Sequence, residues 1–163
     1  MATKNDFHKV IIGRSEELAF VDFGVHEVPA KTDTGAYRSA VHADDIYVDE
    51  DGKLHFRLLG GHSVCGAMAV EASTEKFSKV TVANSFGHEE ERYEVRLKVK
   101  MGPKVFTAPF SLADRSKKIY PILLGRKLLN GRFLVDSAES SLNRKELKQK
   151  YGVEMPNDEE DGR

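Results

Sequence analysis

Asp33-Thr34-Gly35-Ala36 is the stretch of this sequence best suited to chemistry. Val25, Val28 and Ala30 lead into it as an extended segment, so the Asp falls at a strand end, on a tight loop where Gly35 lets backbone approach closely. A carboxylate held this way activates water when a second lies near enough for the two to share a proton, giving a base and an acid at one site. The sequence contains no second Asp-Thr-Gly or Asp-Ser-Gly. The pair must then come from a symmetric dimer in which each protomer supplies one Asp33. The plainer reading of Asp33 is an Asx-turn that only shapes its loop.

Neighbouring residues extend the candidate site. Positions i and i+2 of a strand share a face, which sets the Lys31 ammonium beside Asp33, where a cation favours the ionised form of a carboxylate. A solvated strand lysine is the bland alternative. Arg38 and His42 follow the loop closely enough to line the same cleft, though both residue types are more often surface or internally satisfied groups. Ser39 and Ser63 lie near histidines but nothing orients a base for them, and the single Cys65 excludes an internal disulfide and reads as inert. The six histidines include no His-Glu-x-x-His, and no Gly-x4-Gly-Lys-Ser/Thr run is present, so neither a metal nor a nucleotide cofactor is expected.

Positioning these residues falls to strands. Tyr93, Val95, Leu97, Val99 and Met101 alternate with Glu94, Arg96, Lys98 and Lys100, the period-two pattern of a strand with one buried face. Phe106 to Leu112 repeats the pattern beyond Gly102-Pro103, so 92–112 predicts a hairpin. A second hairpin pairs 18–22 with 25–32 around Phe23-Gly24, and shorter strand signals recur at 45–48, 54–59, 66–71 and 79–83. Many short strands separated by turn residues predict a mainly β fold, a small closed barrel. Helix is expected only at Gly125 to Asn130, stopped by Gly131, and from an Asn143/Glu146 capping box to Tyr151. The two hairpins also make a weak repeat, one leading to Asp33-Thr-Gly-Ala and the other, after a loop, to Ile122-Leu-Leu-Gly-Arg126.

The 163 residues, 40% hydrophobic and 31% charged, suit one domain with a real core, spanning 8–152 between a flexible 1–7 and an acidic disordered tail, 153–163. A net charge of −1 supplies no basic field for nucleic acid. The sequence offers no membrane span and no secretory signal, which points to the cytoplasm.

Lys31-Thr-Asp-Thr-Gly-Ala-Tyr-Arg-Ser-Ala-Val-His-Ala43, Leu112-Ala-Asp-Arg-Ser116, Ile122 to Arg126 and Phe133-Leu-Val-Asp136 together resemble a branch of the retropepsin-like proteins. That branch is labelled ATP-dependent zinc protease and includes the RimB-type endopeptidases. The resemblance spans about residues 8–142 and implies a homodimeric aspartic endopeptidase with Asp33, Thr34 and Gly35 in the catalytic loop. It also implies a flap hairpin over the substrate, somewhere in 45–90, with Gly60-Gly61 and Gly66 as hinges. For RimB-type members it implies a role opposite to ATP-grasp ligases that add glutamates to a ribosomal protein tail. The zinc and ATP of the label find no motif here. In retropepsins the equivalent of Arg126 pairs with an acidic residue just after the loop; Tyr37 stands there instead, leaving Arg126 an internal carboxylate such as Asp114, or one on the substrate. The reading is an amide hydrolase acting on acidic, glutamate-rich peptides, with Lys31, Ala36, Arg38, His42 and Arg126 as the substrate-binding set. A catalytically silent module that binds acidic peptides or dimerises is the alternative, and a zinc amidase the third.

Overall fold

The strongest alternation in the sequence becomes the longest strand of the computed structural model, which describes residues 9–83 and 86–140 together with 145, 146 and 149. Val95, Leu97, Val99 and Met101 are buried along it while Arg96, Lys98 and Lys100 face water. In chain order the strands are β1 (Val10–Ile12), β2 (Ser15–Phe20), β3 (Val25–Thr32), β4 (Ser39–Val48), β5 (Leu54–Leu58) and β6 (Val70–Thr74). They continue with β7 (Ser78–Ala83), β8 (Glu89–Met101), β9 (Lys104–Ala113) and β10 (Ile122–Leu124), then helix α1 (Arg126–Leu129) and β11 (Phe133–Val135).

Six of them close on themselves in the order β10-β3-β2-β8-β9-β4, with β10 also pairing β4. The expected barrel is therefore present, and closure removes the free edges that a six-stranded sheet would expose. Its interior is filled by Leu18, Phe20, Val28, Val41, Val99, Phe110, Ile122 and Leu124, with Phe20 and Phe110 meeting edge-on at 5.9 Å. Each such side chain contributes about 1.5–3 kcal/mol by leaving water. Leu128 and Leu129 of α1 seal one end. β5 and β6 extend the sheet beyond β4, β7 pairs only with β8, and β1 and β11 form a separate two-stranded ribbon.

The structure corrects several expectations. β4 begins at Ser39, not 45, because its first five residues are buried on both faces between β9 and β10 and so carry no alternation. The 66–71 signal splits into a 3-10 turn at Gly66–Met68 and β6 from Val70. Gly60-Gly61 and Gly66, the expected hinges, sit in packed turns: Gly60 lies against Asp44 and Arg57, its carbonyl accepts from His42, and the Gly66 N–H donates to the His62 carbonyl. The other hairpin with a strand outside the barrel is β7–β8. The termini 1–7 and 153–163 lie outside the described residues, as does most of the 143–151 helix.

The weak repeat is real in three dimensions. β3 runs into the 33–38 loop and then β4; β9 runs into the 114–121 loop and then β10. β3 lies parallel to β10 and β9 parallel to β4, while β4 and β10 meet antiparallel, so the halves are related by a pseudo-two-fold between those two strands. Asp33 and Asp114 are each the first residue after their strand, and each accepts an N–H from two residues on: Gly35 at 2.9 Å, Ser116 at 3.0 Å. The chain has kept the turn twice and Thr-Gly once.

Candidate active site

The Asp33 loop is fixed from behind by backbone. The Asp33 N–H donates to the Leu124 carbonyl, and the first N–H groups of α1, on Arg126 and Lys127, donate to the Ala36 and Tyr37 carbonyls at 2.8 and 2.9 Å. The unsatisfied N-terminal donors of a helix thereby meet the unsatisfied acceptors of a loop. Ser39, buried, adds a fourth tie by accepting the Gly125 N–H at 3.0 Å. Gly125 is obligatory at this contact, because a Cβ there would stand 2.5 Å from the Arg38 carbonyl oxygen. At Gly35 a Cβ would press on Asp33 Oδ1 at 3.1 Å, so the glycine keeps the carboxylate's place clear.

Thr34 and Gly35 are exposed at the loop tip, and Asp33 and Ala36 are half-buried. Asp33, Gly35, Ala36 and Arg38 line one cleft of about 680 Å³ with Arg92 and Arg115. Thr81, Val82 and Ala83 supply its far side, which makes β7–β8 the hairpin that overlies the candidate carboxylate. Sequence reasoning missed Arg92 and Arg115. The signal for Arg92 was its place in the alternation, two residues before Glu94 on the same strand face.

Each remaining candidate has a definite place. Arg38 donates to Glu94 at 2.7 Å, with that carboxylate only 10% exposed, so its charge is already matched at the cleft wall. Lys31 is not among the residues that line this cleft, contrary to expectation: it sits in register beside Leu123, which does, and its Nζ is buried without a hydrogen-bond acceptor. Arg126 does not pair with Asp114: it donates to the Thr34 carbonyl at 3.0 Å and lies 5.8 Å from the centre of the Tyr37 ring, while Asp114 accepts from the Ser116 hydroxyl at 2.6 Å. Tyr37 thus offers Arg126 a ring while the Thr34 carbonyl takes its N–H.

His42 is away from this cleft, contrary to expectation. Its ring is buried, Nε2 donates to the Gly60 carbonyl at 2.7 Å, and Nδ1 accepts the Arg115 N–H at 2.9 Å. His62, 5.1 Å from it, does the same between the Lys118 carbonyl and the Val64 N–H. Burial, with His42 next to it, pushes the His62 pKa down to about 4. The two rings staple the 114–121 loop to the turn after β5. Zinc does not fit these residues, since both nitrogens of each ring are committed to backbone; among the described residues no three His, Cys, Asp or Glu converge. Burial raises the Cys65 thiol to about 12, which makes it unreactive.

Among the described residues no helix is long and apolar enough to cross a membrane. In sequence the chain is 29% identical over 140 residues to a protein named "probable alpha-L-glutamate ligase" from Desulfotalea psychrophila, covering 82% of this chain and 29% of the relative. A protein of the same name from Shewanella pealeana is 30% identical over 155 residues, covering 90% and 33%. The chain thus spans about a third of the length of these curated relatives. In structure it is similar to a crystal structure of a protein of unknown function from Legionella pneumophila, with TM-score 0.64 and 28% identity, over 80% of this chain and 95% of that one. Residues 11–146 match the family described as RimB-like, retropepsin-like aspartic endopeptidase RimB. A closed barrel with a doubled loop, one copy keeping Asp-Thr-Gly, agrees with that match, and the chain belongs to the RimB-like family of retropepsin-like proteins.

Proposed function

We propose that the chain is an aspartic endopeptidase that hydrolyses amide bonds in acidic, glutamate-rich peptides, with a dyad made of Asp33 from each protomer of a homodimer. The observation that carries it is the Asp33 loop: one carboxylate, locked by α1 and opening into a cleft walled by arginines. In the mechanism one Asp33, ionised, takes a proton from water as the oxygen attacks the amide carbon, while the protonated partner donates to the carbonyl oxygen. The tetrahedral adduct then collapses, the C–N bond breaks, and the departing nitrogen receives a proton from the dyad. The relatives' name supports the substrate class, since a glutamate ligase makes the kind of bond such a hydrolase would open.

Asp33→Asn tests the reading, because the amide nearly preserves shape and cannot share the proton. Turnover of an oligo-glutamate peptide should fall about 10²–10⁴-fold in a protein that melts like the parent. Chelator and ATP should change the parent's rate by neither gain nor loss. Undiminished turnover by Asp33→Asn would sink the mechanism. A second reading, a silent module that presents acidic peptides to a ligase, is favoured by the relatives' name alone; it predicts peptide binding without turnover in the parent.

A further inference from the structure

Buried arginines and lysines in folded proteins are normally paired, and several arginines here are matched. Arg38 is paired with Glu94, Arg57 with Asp44 through two hydrogen bonds, and Arg126 with the Thr34 carbonyl. Two buried side-chain donors among the described residues lack an acceptor: Lys31 Nζ and Arg92 Nε. A buried N–H without a protein acceptor is costly, which makes each of these atoms a candidate to receive an acceptor from outside the chain.

Arg92 lies on β8 of the overlying hairpin, opposite Val80, and lines the cleft with Asp33. Its Nη2 has one long contact, 3.4 Å to Glu90, a side chain 64% exposed and two residues away on the same strand face. That contact is to a carboxylate, and it leaves Nε unused. Arg115, from the 114–121 loop, enters the same cleft, with its own Nε donating to the Tyr120 carbonyl. The guanidinium fork fits a carboxylate through two parallel hydrogen bonds, Nε–H being one of its natural donors.

We propose that Arg92 is a specificity-determining residue that receives a glutamate side-chain carboxylate of the substrate above the Asp33 loop, displacing Glu90. The inference rests on the acidic-peptide reading and names the residue that enforces it. Arg115 adds positive charge from the loop below the hairpin without being the fork. Placed on the hairpin, such a contact forms only when the hairpin lies over a peptide, which couples recognition of acid to covering of the site.

The test separates binding from turnover by using Asp33→Asn protein and fluorescein-labelled hexaglutamate and hexaglutamine peptides, each with a free or an amidated C-terminus. At low ionic strength the Asp33→Asn protein should bind hexaglutamate at least about tenfold tighter than hexaglutamine, with amidation making no difference. Adding Arg92→Gln should bring the two affinities together by weakening hexaglutamate alone, and Arg92→Lys should restore part of the preference. Equal weakening of both peptides would make Arg92 merely structural. An intact preference in Arg92→Gln, or one that vanishes on amidation, would also overturn the proposal. Absence of turnover in the parent would instead strike only at the hydrolase, while an Arg92-dependent preference for glutamate would still stand.

Discussion

At the scale of single residues, the loop owes its form more to backbone partners than to charge. Asp33, Gly35 and Gly125 are defined by hydrogen bonds and by the absence of a Cβ, which is why a four-residue motif could announce them. Arg92 and His62 could not be read that way: alternation assigns Arg92 to a strand face without saying what that face meets, and a histidine after two glycines has no local signature. His62 carries a pH prediction. Its folded pKa, about 4, lies below the unfolded value of 6.5, so the folded state binds fewer protons and the group's stabilisation is full above 6.5 and lost as pH falls toward 4. The loss amounts to about 3 kcal/mol. Asp114, held below the usual carboxylate range by the Ser116 hydroxyl, and Asp44, held there by Arg57, push the same way at still lower pH. Chemical denaturation at pH 7, 5 and 4 should show the fall, and His62→Gln should flatten it between 7 and 4; an unchanged slope would assign the acid sensitivity elsewhere.

Elements explain why Asp-Thr-Gly-Ala and Ile-Leu-Leu-Gly-Arg travel together. The first is a loop with exposed acceptors and the second a strand and helix start with exposed donors, and they meet through Gly125. Gly125→Ala must move the 37–38 backbone, which overpacking data put at about 1–3 kcal/mol or more. Urea titration should report that loss together with weaker peptide binding, whereas a fully stable variant would show that α1 can withdraw from the loop at no cost. The hairpin β8–β9 was legible from periodicity and β2–β3 from the turn signal at Phe23-Gly24, although the first strand runs Ser15–Phe20 and Val21–Phe23 form a 3-10 turn in place of its expected end. The start of β4 and the strand β10 were not, since central strands buried on both faces lack the alternation that marks a half-buried one. The overlying hairpin was visible as strands but not as a flap, because nothing local states which hairpin leans over Asp33.

For the whole molecule, the proposed dyad requires two chains, and the exposed apolar face of the β1–β11 ribbon is the surface we propose for their contact. Ile11 and Leu134 are register partners on its outer face, 66% and 51% exposed. Covering two such side chains contributes enough for Ile11→Lys with Leu134→Lys to raise a dimer dissociation constant about tenfold or more. Sedimentation should show the shift, with activity per protomer falling at the same dilution; an active monomer would contradict the shared site. Barrel closure has a further effect, on the order in which the molecule can be made. The three residues of β10 must insert between β3 and β4, so the contacts that hold Asp33 join chain ends far apart in sequence, and the entropy of closing that loop has to be met before they form. A chain leaving the ribosome carries its first hairpin early, yet the loop after it stays unshaped until Leu124 and Gly125 have been synthesised. Any product that ends before them, through truncation or stalled translation, has the whole Asp-Thr-Gly-Ala motif and none of the support that aims it.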